Sequence, residues 1–60
     1  MWYAVQKNSN DDWGTGSFDF NEAAAMLKEL YWDGYPHALI ACIDNGVCVN
    51  EVPLEEVMPF

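Results

Sequence analysis

The sequence predicts an α+β fold of order β-α-β-β, with one helix packed on a small three-stranded sheet and a short C-terminal helical turn. Three observations predict it. Residues 19–34 carry a complete helix signature. Residues 37–44 and 47–52 are apolar runs joined by Asn45-Gly46, the strongest short hairpin signal. Residues 2–6, Trp-Tyr-Ala-Val-Gln, are rich in aromatic and branched side chains, which suit a strand. Residues 1–60 contain no repeat and no linker, so they read as one domain.

The first strand opens the chain and needs a neighbour to be ordered. Residues 7–17, Lys-Asn-Ser-Asn-Asp-Asp-Trp-Gly-Thr-Gly-Ser, are turn formers throughout. They read as a long loop, and long loops in small domains are functional or mobile. Trp13 is the odd residue in it. It either folds back on the core as a lid or stands out as an anchor for a partner.

The helix signature is built from several parts. Asp19 is placed to accept hydrogen bonds from first-turn amides, and Glu22 follows at capping-box spacing. Phe18 stands where a hydrophobic staple would pack on Ala23. Phe20, Ala23, Ala24, Leu27, Leu30 and Tyr31 follow the rhythm of a buried stripe. Gly34 suits a left-handed C-terminus, and Pro36 prevents continuation. Trp32 lies about 100° around the helix from Tyr31. It is expected to pack under a loop or across a dimer contact.

The second strand, residues 37–44, is continuous enough in apolar character to be buried on both faces. The first strand sits beside it in parallel through a right-handed crossover, or beside the third strand in an antiparallel sheet; burial favours the former. Two hairpin registers compete. A two-residue turn pairs Asp44 with Val47 and Ile43 with Cys48. A three-residue loop with Gly46 as the bulge residue pairs Ile43 with Val47 and Cys42 with Cys48. The second gives the cleaner apolar face and is preferred. Pro53 ends the third strand, and Leu54, Val57 and Met58 have the spacing of one helical turn.

In either register both sheet faces carry apolar side chains, while one helix covers one face. Trp32, Leu54, Val57, Met58 and Phe60 are the candidates for packing over the other face or for joining two copies. A chain of 60 residues that is 52% hydrophobic has more apolar surface than one small core hides. A homodimer is therefore expected.

Ten acidic residues against Lys7 and Lys28 give a net charge of −8. That balance repels nucleic acid and anionic membrane and attracts a basic protein surface. Asp11, Asp12, Trp13, Asp19, Glu22 and Glu29 form the first candidate contact surface, and Glu51, Glu55 and Glu56 a second cluster. No signal peptide pattern or membrane-length apolar run is visible, so a cytoplasmic protein with free thiols is expected.

Chemical motifs are weak throughout. His37 is the only histidine and has no nominated nucleophile. Cys42 and Cys48 lack the tight spacing and further ligands of a structural zinc site. Residues 8–16 fail both the calcium-loop and the phosphate-loop patterns, because Trp13 stands where the calcium loop needs glycine and no lysine follows Gly14-Thr15-Gly16. No cofactor, metal or catalytic residue is expected. The resulting expectation is a small acidic non-enzymatic interaction protein. It would be a homodimeric inhibitor of the kind phages and mobile elements direct against defence systems. The alternative is a structural adaptor completed by a different chain.

Overall fold

The computed structural model describes residues 1–58 and shows one main helix on a four-stranded antiparallel sheet. The elements are β1 (Trp2–Gln6), β2 (Gly16–Ser17), α1 (Phe20–Trp32), β3 (Leu39–Asp44), β4 (Val47–Pro53) and α2 (Leu54–Val57). Phe60, expected to cover a sheet face, lies outside the described residues.

The sheet order is β2-β1-β3-β4. The first strand does lie beside the apolar β3, but antiparallel to it, pairing Trp2 with Ile43 and Gln6 with Leu39. The expected parallel pairing fails because the chain reverses once more than its pattern announces. β2, only two residues long, runs back along β1, with Tyr3 opposite Ser17 and Ala4 opposite Gly16. It therefore returns the chain to the start of β1 before the helix begins. α1 then carries the chain to the far end of β1, and β3 must run back. Gly16 is required at this reversal. A Cβ there would lie 2.1 Å from the Tyr3 carbonyl oxygen and 2.9 Å from the Ala4 Cα, both backbone atoms.

The helix matches its signature with four differences, the first being that Phe20, expected in the buried stripe, is exposed and packs edge-to-face on Tyr3 without joining the core. Asp19 caps it, accepting from the Asn21 amide at 2.9 Å. Glu22 accepts from the Ser17 hydroxyl at 2.8 Å, and that hydroxyl accepts from the Asp19 amide at 3.0 Å. The capping box is thus relayed through Ser17. Phe18 turns to Trp2 instead, with ring centroids 4.8 Å apart in an edge-to-face arrangement. Met26 also joins the core stripe, which the spacing had not singled out. At the other end, Gly34 takes φ +97. Its amide bonds the Tyr31 carbonyl and the Tyr35 amide bonds the Leu30 carbonyl, the two bonds of a Schellman motif.

The hairpin takes the two-residue register at its tip and departs from both candidate registers at its far end. Asn45 and Gly46 have φ 51 and 77, the signs a two-residue type I′ turn requires. Asp44 pairs with Val47 and Ile43 with Cys48. The register then shifts, so that Cys42 faces Asn50 and Ile40 faces Val52, leaving Val49 as an extra, bulged residue. The preferred three-residue loop does not occur. The turn residues decide the tip, and burial decides the far end, because without the bulge the tip register would pair Val52 with Leu39 on the face away from the helix.

Two apolar clusters result. Val5, Ala23, Leu27, Ala38, Ile40, Cys42, Val52 and Leu54 form the main core between sheet and helix, flanked by Tyr3, Met26, Leu30, Tyr31, Val57 and Met58. The tail therefore enlarges this core; Leu54, Val57 and Met58 do not cover the opposite face. That face holds a second cluster of Ala4, Ala41 and Ile43 with Trp2, Leu39 and Cys48, all from the sheet itself. Cys42 and Cys48 consequently lie on opposite faces, and both are free thiols.

Among the described residues Gln6 is the one buried polar side chain, 2% exposed. Its Nε2 donates to the Asp11 carbonyl and anchors the loop of residues 7–15 to β1. Replacing Gln6 with Ala leaves that carbonyl without its donor. The expected cost is about 1–3 kcal/mol in denaturant unfolding, with faster proteolysis between residues 8 and 15. The thiols give a second check. Burial, and then the neighbouring Cys48, push the Cys42 thiol up from its ordinary value. In folded protein diluted to the monomer Cys48 is expected to be alkylated faster than Cys42, with the difference vanishing in denaturant.

Candidate functional site

The loop of residues 7–15 is tightly organised by its own side chains. The Asp11 carboxylate accepts from the Lys7 amide at 3.0 Å and the Asp12 amide at 2.9 Å. Asn8 accepts from the Asn10 amide at 2.8 Å, and Asp12 from the Gly14 amide at 3.0 Å. The Val5 amide donates to the Thr15 carbonyl at 2.8 Å, and the Trp2 indole to the Trp13 carbonyl at 2.8 Å. Asn, Asp and Gly suit these turns because short polar side chains replace backbone partners.

These bonds divide the expected contact surface. Asp11 and Asp12 hold the loop, while Asp19 and Glu22 hold the helix start. Charge reversal at any of the four disturbs the fold as well as the surface. Glu29 stands apart as an exposed carboxylate in the last turn of α1, without such a task. Trp13 is 41% exposed, joins neither apolar cluster, and meets β1 through its backbone carbonyl, which accepts from the Trp2 indole. Trp32 is 70% exposed and lies under no loop.

Glu29 belongs to a different grouping from the one expected. A shallow groove of about 240 Å³ runs between the second half of α1 and the loop. Val5, Met26 and Leu30 supply its apolar lining, Asp11, Glu29 and Asp33 its acidic rim, and Lys7 and Thr15 complete it. Lys7 directs its ammonium over the Tyr35 ring, 5.1 Å from the centroid, a cation–π contact. Asp33 and Met26 were missed in the sequence. The available signal was an acid at the C-terminal end of a helix, where no basic residue stands in the last turn.

That position is electrostatically unfavourable, because a helix C-terminus carries partial negative charge and prefers cations. The groove therefore gathers three carboxylates and the helix end against one ammonium, that of Lys7. His37 is exposed just before β3, and the two thiols face opposite sides of the sheet, so these three do not converge. Among the described residues no three His, Cys, Asp or Glu side chains are grouped to hold a metal. Nor, among the described residues, is any helix long and apolar enough to cross a membrane.

Comparison with protein-family models, with curated proteins and with solved structures found no match to this chain.

The Asp11 carboxyl sits below its ordinary value of 3.8, chiefly through the hydrogen bond from the Lys7 amide and next through that from Asp12. A depressed carboxyl contributes stability that is present above its ordinary value and lost as pH falls through the lowered one. Loop protection in amide hydrogen exchange is therefore expected to weaken as pH drops below 3.8. Asp11→Ala should remove this acid-dependent step. An unchanged profile in that variant would assign the step to another group.

Proposed function

We propose that the protein is a non-enzymatic interaction protein, a homodimer that binds and blocks a protein target with a basic surface. In this reading it belongs with the inhibitors that phages and mobile elements direct at nucleic-acid-handling defence enzymes. The carrying observation is the division of the sheet into two unlike faces. One face is closed by α1 and α2, while no helical residue joins the cluster on the other.

The open face suits a second copy better than water. Ala4, Ala41 and Ile43 are already buried beneath their neighbours on this face, so what it offers a second copy is Phe18, packed on Trp2, with the half-buried Trp2, Leu39 and Cys48. Phe18 is 76% exposed. Glu51, paired with Ala41, is the one acid that strand alternation brings to this face. Two chains of charge −8 repel each other except where the charges are absent, and this face is where they are sparse. Apolar, charge-poor surfaces of this kind resemble the halves of an obligate interface. The acidic helix side would remain outward on both copies, and a basic target would be drawn to it at low salt.

Light scattering after size exclusion tests the dimer. The expected mass is twice 6.8 kDa. Phe18→Asp should weaken association at least about tenfold, or about 1.4 kcal/mol, with unchanged circular dichroism. Trp32→Asp, on the helix side, should leave the dimer intact. A wild-type monomer that aggregates would support the adaptor reading instead. A dimer insensitive to Phe18 would place the interface elsewhere.

A further inference from the structure

We infer that the groove between α1 and the loop of residues 7–15 receives an arginine side chain from the target protein, its stem on Val5, Met26 and Leu30 and its guanidinium against Glu29 and Asp33. This inference rests on the interaction-protein reading and gives it a specific contact.

Size selects the class of occupant. Ligand pockets for drug-sized molecules run from about 300 to 1,000 Å³. This groove, at about 240 Å³, falls below that range. It accommodates one long side chain. Its chemistry is also divided in the way such a side chain is divided. The buried Val5 and half-buried Met26 and Leu30 offer apolar contact, and the exposed Glu29 and Asp33 lie at the rim. Lysine and arginine carry an apolar stem and a charged head, and lay the one on hydrophobic surface while the other stays polar. Arginine is favoured over lysine because its guanidinium is planar, less strongly hydrated and able to bridge carboxylates.

The placement of the acids gives a separate argument. Glu29 in the last turn and Asp33 at the C-cap sit where the helix dipole opposes them, and no basic residue in that turn relieves them. The one lysine lining the groove lays its ammonium over Tyr35 and acts by charge on Asp11, so Glu29 and Asp33 are the carboxylates left to a partner. A partner's cation would be attracted by the carboxylates and by the helix end together. Carboxylates kept at a cost to helix stability, around an apolar recess, are what a cation-binding site requires and what a solvated helix end does not.

The test uses Nα-acetyl-L-argininamide as the probe, titrated at millimolar concentrations into the folded isotope-labelled protein and followed by amide chemical shifts. The expected result is saturable shifts concentrated at Val5, Met26, Glu29, Leu30 and Asp33. The uncharged citrulline analogue, similar in shape, should bind at least about tenfold more weakly, since it cannot form charge-assisted bonds. Glu29→Gln with Asp33→Asn should abolish the shifts while raising the melting temperature by a few degrees, because the same substitutions relieve the helix end. A fall in melting temperature would show that the carboxylates serve the fold and overturn the inference. Shifts spread over Glu51, Glu55 and Glu56 as well, or equal binding of the citrulline analogue, would also overturn it. The titration is independent of the dimer. A failed titration on an intact dimer removes the groove alone, and localised binding by a monomer removes the dimer alone.

Discussion

The close backbone approach of Gly16 to Tyr3 is the constraint on which the rest of the architecture depends. Two residues of strand are a small amount of structure, yet they set the direction of everything that follows. Because the chain is turned back along β1, the helix begins at one end of the sheet and finishes at the other, and β3 enters antiparallel. The same reversal brings the loop of residues 7–15 beside the helix's second half, which creates the groove. Any side chain at position 16 would collide with backbone, and backbone has no rotamer with which to yield.

Long-range order in this chain was legible wherever a pattern ran over several residues. The cap at Asp19, the core positions Ala23 and Leu27, the stop at Gly34 and the apolar β3 all follow from spacing. What was not legible was short or contested. Gly16-Ser17 has no periodicity because two residues cannot show one, and its omission inverted the relation of β1 to β3. The hairpin failed differently. Both of its candidate registers were physically sound, but each was read as continuous, and the bulge at Val49 gives the far end a pairing that neither contains. Phe18 left its staple because Trp2, brought alongside by the unforeseen β2, is a better aromatic partner than Ala23.

The acidic residues show why a charge count says little about where a partner binds. Residues equal in charge have different occupations. Asp11, Asp12, Asp19 and Glu22 replace missing backbone partners in a loop and at a helix start, and their types follow from that geometry. Glu29 and Asp33 do no such work and stand where the helix disfavours them. The sequence grouped Glu29 with the loop acids by proximity along the chain. In three dimensions its informative neighbours are Met26, Leu30 and Asp33, supplied by the helical turn and its cap.

The bulge at Val49 has a consequence for the sheet's outer border. β4 is an edge strand, and an edge with regular pairing is a template on which further strands can add. Here the ladder is interrupted midway, Glu51 carries charge along the strand, and Pro53, without an amide hydrogen, terminates it. Lateral growth of the sheet is thereby resisted on that side. An acidic chain rich in apolar residues is thus steered away from open-ended, fibre-like addition along β4.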